Sequence, residues 1–146
     1  CFAFDVPESW AWAWQERDTQ IILVELIAPL LASHTWRMFL KGRSTILFND
    51  STTAESILLK GYSNQALDAN KITAEYHDDS CEQETCVYIE RCPTDCNPSD
   101  GCSRGKILED ALRFGWEICR VELKEDWIKH GPGHGYWNTL KTRWFG

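Results

Sequence analysis

Apolar and polar positions change period several times along this chain, and each change marks an element. Ile21, Val24, Ile27, Leu30 and Leu31 recur at helical spacing, which predicts a helix over residues 20–40 with Asp18 or Thr19 placed to cap its start. Pro29 inside that run predicts a kink or a break, because proline lacks an amide hydrogen and its ring crowds the preceding turn. Residues 41–43 read as a turn. Thr45-Ile46-Leu47-Phe48 is a compact apolar run of the kind that forms a buried strand, ending at Asn49-Asp50. Ser51 or Thr52 can cap a helix running through Leu59, and Gly61 stops it. A polar helix over 64–77, a charged loop over 78–84 and a strand from Cys86 to Arg91 follow.

The two ends are less regular. Residues 2–6 alternate weakly and predict a short strand ended by Pro7, and the Trp/Ala alternation of 9–14 suits a short helix or an aromatic turn. Residues 93–100 are turn-rich, with Pro98 well placed at a helix start. A helical stretch is expected over roughly 106–129, then a Gly-rich loop over 130–137. The alternation of strands and helices reads as an α/β (α+β) domain.

Composition narrows this further. The chain has 146 residues, 43% hydrophobic and 25% charged, which suits one folded domain and excludes disorder over the whole length. Eight tryptophans gather toward the two ends. Residues 1–100 carry 7 basic and 16 acidic side chains, whereas residues 101–146 carry 8 and 6. That acidic bulk argues against binding nucleic acid through a general basic surface, but not against a nuclease, since bound metal reverses the local sign. No apolar run is long enough to span a membrane, and Glu25 and Pro29 interrupt the most apolar one. Cysteines number seven, five of them between 81 and 102 with 4, 5, 3 and 5 residues between neighbours. The odd count and the absence of a two-residue spacing favour ordinary thiols; structural zinc and disulfides stay open.

Three acids sit where chemistry can arise. Glu25 lies in the most apolar helix, so it either faces solvent or has a positive partner or metal. Asp50 ends the predicted buried strand, and Asp100 follows Asn97-Pro98-Ser99 at a helix start. Taken singly, each also reads as an ordinary surface, capping or first-turn acid. His130 and His134 are four apart, but Gly131, Pro132 and Gly133 forbid a helical pair, so they read as loop residues. Trp127, Trp137 and Trp144 with Arg120, Lys124, Lys129, Lys141 and Arg143 suggest either a stacking and phosphate-contacting surface or an amphipathic helix with a docked aromatic tail.

The run Val24-Glu25-Leu26-Ile27-Ala28-Pro29-Leu30-Leu31-Ala32, then Trp36, Gly42-Arg43 and Ile46-Leu47-Phe48-Asn49-Asp50, resembles the middle of the ribonuclease H-like domain of retroelement reverse transcriptases. Residues 54–63 are similar too, and Arg91-Cys92-Pro93 followed by Asn97-Pro98-Ser99-Asp100-Gly101-Cys102-Ser103-Arg104 resembles that family's closing R-V-P … N-P-A-D-x-x-S-R motif. The likeness covers roughly residues 2–105; residues 106–146 form a C-terminal helical and Trp/Gly-rich extension outside it.

The resemblance implies a mixed sheet flanked by helices, and hydrolysis of the RNA strand of RNA–DNA hybrids beside a reverse transcriptase domain in the same polyprotein. An intracellular setting, cytoplasm or nucleus, goes with that. It maps Glu25, Asp50 and Asp100 onto three of four acids around two Mg2+ or Mn2+ ions. Two such cations, about 4 Å apart, activate water and stabilise the leaving oxygen, and oxygen ligands suit them. Residues 2–6 correspond to the family's third strand, so its first strands and first aspartate are expected to lie outside this chain. Ser51 stands where the family usually has Asn, and Cys92 where it has Val. Two rivals remain: a decayed, non-catalytic relic of the same fold, and a zinc-binding interaction domain built on Cys81, Cys86, Cys92, Cys96 or Cys102.

Overall fold

The computed structural model describes residues 1–134. Helices α1 (Glu8–Ala11), α2 (Ile21–Thr35) and α3 (Arg37–Leu40) precede strand β1 (Ser44–Asn49). Helices α4 (Thr52–Lys60) and α5 (Leu67–Glu82) lead to strand β2 (Cys86–Arg91). A 3-10 turn (Thr94–Cys96) and helices α6 (Asp100–Ser103), α7 (Ile107–Phe114) and α8 (Glu125–His130) complete the described chain. The two strands pair in parallel, Ser44 opposite Cys86 through Asn49 opposite Arg91, with α4 and α5 forming the crossover. The chain is therefore a mixed α/β domain, rich in helix, around a small parallel sheet.

Burial explains the central elements. Leu23, Leu26, Ile27, Leu30 and Leu31 give α2 a wide apolar face, which packs chiefly on Ala69, Ile72 and Tyr76 of α5. Ser51 caps α4 by accepting from Ala54 N at 3.2 Å, and Gly61, at φ 78°, ends it in the left-handed conformation that glycine reaches without strain.

Several expectations need correction. Helix α2 continues through the buried Pro29 without a break, and the break falls at Trp36 (φ −102°, ψ 18°) instead. Among the described residues, residues 2–6 pair with no strand; Phe2, Phe4 and Val6 are half-buried side chains packed on the core, so their alternation records docking. Much of the charged stretch 78–84 is the last turn of α5, because Asp79 is buried and bonded rather than solvated. The helix expected over 106–129 is two short helices separated by Gly115 (φ 68°) and an irregular segment. In β1, Ile46 and Phe48 are 60% and 62% exposed, so only one face of the predicted buried strand is covered.

The core continues past residue 105. Val121 and Leu123 pack against it and Trp127 is 1% exposed within it. Gly131 lies so close to Trp10 that an added Cβ would stand 2.7 Å from the indole. Tryptophans from both ends of the sequence thus meet in one core. Trp137, Trp144, Lys141 and Arg143 lie outside the described residues, and the buried Trp127 presents no face for a base to stack on.

At the start of α5, Asp68 accepts two bonds from Arg17, at 2.7 and 2.9 Å, and one each from Gln15 N and Ala69 N. Burial pushes this carboxyl up, but the Arg17 and main-chain donors outweigh it and hold it below its ordinary value. The group therefore contributes stability that is present above the ordinary carboxylate range and is lost as pH falls through it toward the folded value. We expect the urea midpoint to drop on acidification below about pH 4. Asp68→Asn should lower the midpoint at pH 7 and flatten that acid limb; an unchanged limb would show that the stabilising charge lies elsewhere.

Candidate acidic site at the strand ends

Two parallel strands end side by side, Cys92 N donating to Asn49 O at 2.9 Å, and the next residues turn away into α4 and the 3-10 turn. In open parallel sheets this is where loops from different strands converge and sites form. Asp50 leaves β1 at this edge, half-buried, and its Oδ2 accepts from Asn97 Nδ2 at 2.9 Å. Asn97 Oδ1 in turn accepts from Ser99 N at 3.0 Å and Ser99 Oγ at 2.7 Å, which sets the start of α6, where Asp100 is the first residue. From the other side, Glu25 of α2 reaches the same corner: its Oε2 accepts from Ser51 Oγ at 2.5 Å.

Glu25 and Asp50 thus come from distant segments to one corner of the sheet, linked through Ser51, and Asn97 ties the segment that leads into α6 and Asp100 to Asp50. The three acids are not equivalent. Glu25 Oε1 and Asp50 Oδ1 accept no hydrogen bond among the described residues. Asp100 is turned into an ion pair with Arg104 Nε at 2.7 Å, one helical turn along. No group of three or more His, Cys, Asp or Glu gathers closely enough to hold a metal ion among the described residues. The donor chemistry of Glu25 and Asp50, anionic oxygens with a lone pair free, nevertheless suits a hard divalent cation. Asp100 would join them only by leaving Arg104.

Reading the residues alone missed Ser51 and Asn97 as orienting groups. Ser51 was legible as a helix cap, but its second role toward Glu25 depends on α2 crossing α4. Asn97 signalled only an Asx-type turn. An open cleft of about 530 Å3 lies between the start of α2, one side of α4 and the segment after it, lined by Thr19, Ile21, Thr53, Ile57, Lys60 and Tyr62 among others.

A second polar cluster, away from the corner, was not legible. Asp79 accepts from Gln83 Nε2 at 2.6 Å and pairs with Lys124 Nζ at 3.1 Å. Glu75 accepts from Trp127 Nε1 at 2.6 Å and Gly133 N at 2.5 Å. Lys124 also lies over the Trp127 ring, and His34 meets that ring edge-on. Burial raises the Glu75 carboxyl and lowers the His34 imidazole. The cluster fastens residues 121–133 onto α2 and α5.

The cysteines are all unpaired, and no three of them share a site among the described residues. His130 and His134 stack at 4.1 Å between ring centroids, at the end of α8 and in the following turn. Among the described residues no helix is long and apolar enough to cross a membrane. Comparison with protein-family models, with curated proteins and with solved structures finds no match to this chain.

Proposed function

We propose that this chain carries the later part of a ribonuclease H-like domain whose chemistry is metal-dependent hydrolysis of the RNA strand of an RNA–DNA hybrid, as part of a reverse transcriptase polyprotein. The observation that carries the reading is the pair of hydrogen bonds Ser51–Glu25 and Asn97–Asp50, which tie α2, the end of β1 and the start of α6 into one acidic corner. Glu25, Asp50 and Asp100 would hold the Mg2+ or Mn2+ ions. Such ions would supply water activation and charge neutralisation on the phosphodiester. Ser51 and Asn97 each hold one oxygen of the acid they bond, which leaves Glu25 Oε1 and Asp50 Oδ1 for the ions. The cleft along α4 offers Lys60 and the hydroxyls of Thr19 and Thr53, groups that bind nucleic-acid phosphates.

The test is cleavage of an end-labelled RNA–DNA hybrid in magnesium or manganese. The chain is assayed alone and extended at its start by the family's first strands and first aspartate. Metal-dependent release of short RNA products by the extended form, with the DNA strand intact, supports the reading. The ion pair of Asp100 with Arg104 favours the other outcome, a non-catalytic relic. A folded, extended chain that cleaves nothing would establish it and remove the nuclease.

A further inference from the structure

Cys92 and Cys96 bracket the 3-10 turn by which the chain leaves β2. Both reach one main-chain oxygen. Cys92 Sγ donates to Pro93 O at 3.4 Å, and Cys96 N donates to the same atom at 2.9 Å. The Cys92 sulfur therefore lies no farther from Cys96 N than those two distances together. Cys96 is exposed and Cys92 half-buried, so a small oxidant reaches both, whereas Cys102 is buried. Asp95 pushes the Cys96 thiol up, and Cys92 is near enough to add to that effect. Each cysteine is also joined to the acidic corner. Cys92 N donates to Asn49 O, the residue before Asp50. Cys96 is followed directly by Asn97, whose Nδ2 donates to Asp50 Oδ2 at 2.9 Å.

We propose that Cys92 and Cys96 are a reversible thiol–disulfide pair that hydroperoxides oxidise, and that closing it shifts Asn97 and so alters its hold on Asp50. The Cys92 thiolate attacks the peroxide, whose O–O bond breaks. One oxygen stays on sulfur as sulfenic acid, and the other leaves and takes up a proton to become water or an alcohol. Cys96, kept as a thiol by Asp95, is the resolving partner. Its sulfur attacks the sulfenic sulfur, the S–S bond replaces the S–O bond, and the thiol proton departs with that oxygen as water. Two thiols are thus oxidised by one peroxide. Closure ends the Cys92 Sγ bond to Pro93 O and ties Cys96 to the strand end, and Asn97 is carried with it. Low-molecular-weight thiols reverse the bond by exchange, since an exposed disulfide across a short turn is of the labile kind. The oxidation stands apart from the nuclease reading; only its consequence for a metal at Asp50 rests on that reading.

The experiment treats the whole reduced chain with a small excess of hydrogen peroxide, alkylates the remaining thiols in denaturant and digests with trypsin. Cys92–Arg104 is released as one peptide, which holds Cys102 as well. Tandem mass spectrometry should find a Cys92–Cys96 bond in it with Cys102 alkylated, at least about ten-fold more abundant than any disulfide between chains. Dithiothreitol should remove the bond. In the 15N-labelled chain the side-chain amide resonance of Asn97 should move on oxidation and return on reduction. Cys96→Ser should stop the reaction at a Cys92 sulfenic acid that dimedone traps, and Cys102→Ala should keep both the bond and the Asn97 response. Cys92 and Cys96 that stay alkylatable, or that pair chiefly with Cys102 or between chains, overturn the proposal, as does a Cys92–Cys96 bond that leaves the Asn97 resonance unmoved.

Discussion

Asp50→Asn is expected to abolish metal-dependent hybrid cleavage by the extended chain, a loss on the order of 100-fold or more, while leaving the urea midpoint unchanged. The amide is isosteric with the carboxylate, and its carbonyl oxygen can still accept from Asn97 Nδ2, so the corner keeps its shape. What disappears is the negative charge that a hard cation requires. Asp50 is only half-buried, so no large cavity or unpaired buried group results. Cleavage equal to the parent's would remove Asp50 from the site. Loss of cleavage together with a large fall in the midpoint would assign it a structural role instead.

Trp127→Ala is expected to cost about 3–5 kcal/mol in folding free energy, read as a lower urea midpoint with an unchanged slope. The indole is 1% exposed and sits in the common core. Its ring is contacted by Lys124 and His34, and its Nε1 donates to Glu75. Truncation opens a cavity and leaves the Glu75 carboxylate short of a donor in a site where burial already disfavours its charge. Trp127→Phe keeps a six-membered aromatic ring but loses the donor and the rest of the indole volume, so it should fall between the parent and the alanine variant. A cost below about 1 kcal/mol for the alanine variant would show that residues 121–133 lie outside the cooperative unit.

The middle of the chain was legible because its signals are local. The period of α2, the Ser51 cap, the Gly61 stop and the apolar run of β1 each lie within a few residues of the element they specify. Beyond residue 77 the deciding contacts are distant. Asp79 looks like a loop charge until Lys124 and Gln83 are placed beside it, and the alternation at 2–6 looks like a strand until Trp36 and Trp10 supply surfaces for Phe2 and Phe4. The candidate acids were legible one at a time. That Glu25 and Asp50 share one corner was not, because it depends on a helix crossing that no period can encode.

The closeness of Gly131 to Trp10 bears on when this domain can form. The helices α2 and α5 can associate early, but the surface they share with Trp10 waits for a partner near the far end of the chain. During synthesis that surface stays uncovered until the last described residues have left the ribosome, and long loops must close before it is sealed. Assembly of the core therefore waits until residues 127–131 have emerged, and the nascent chain passes through an interval in which chaperones have an apolar surface to hold.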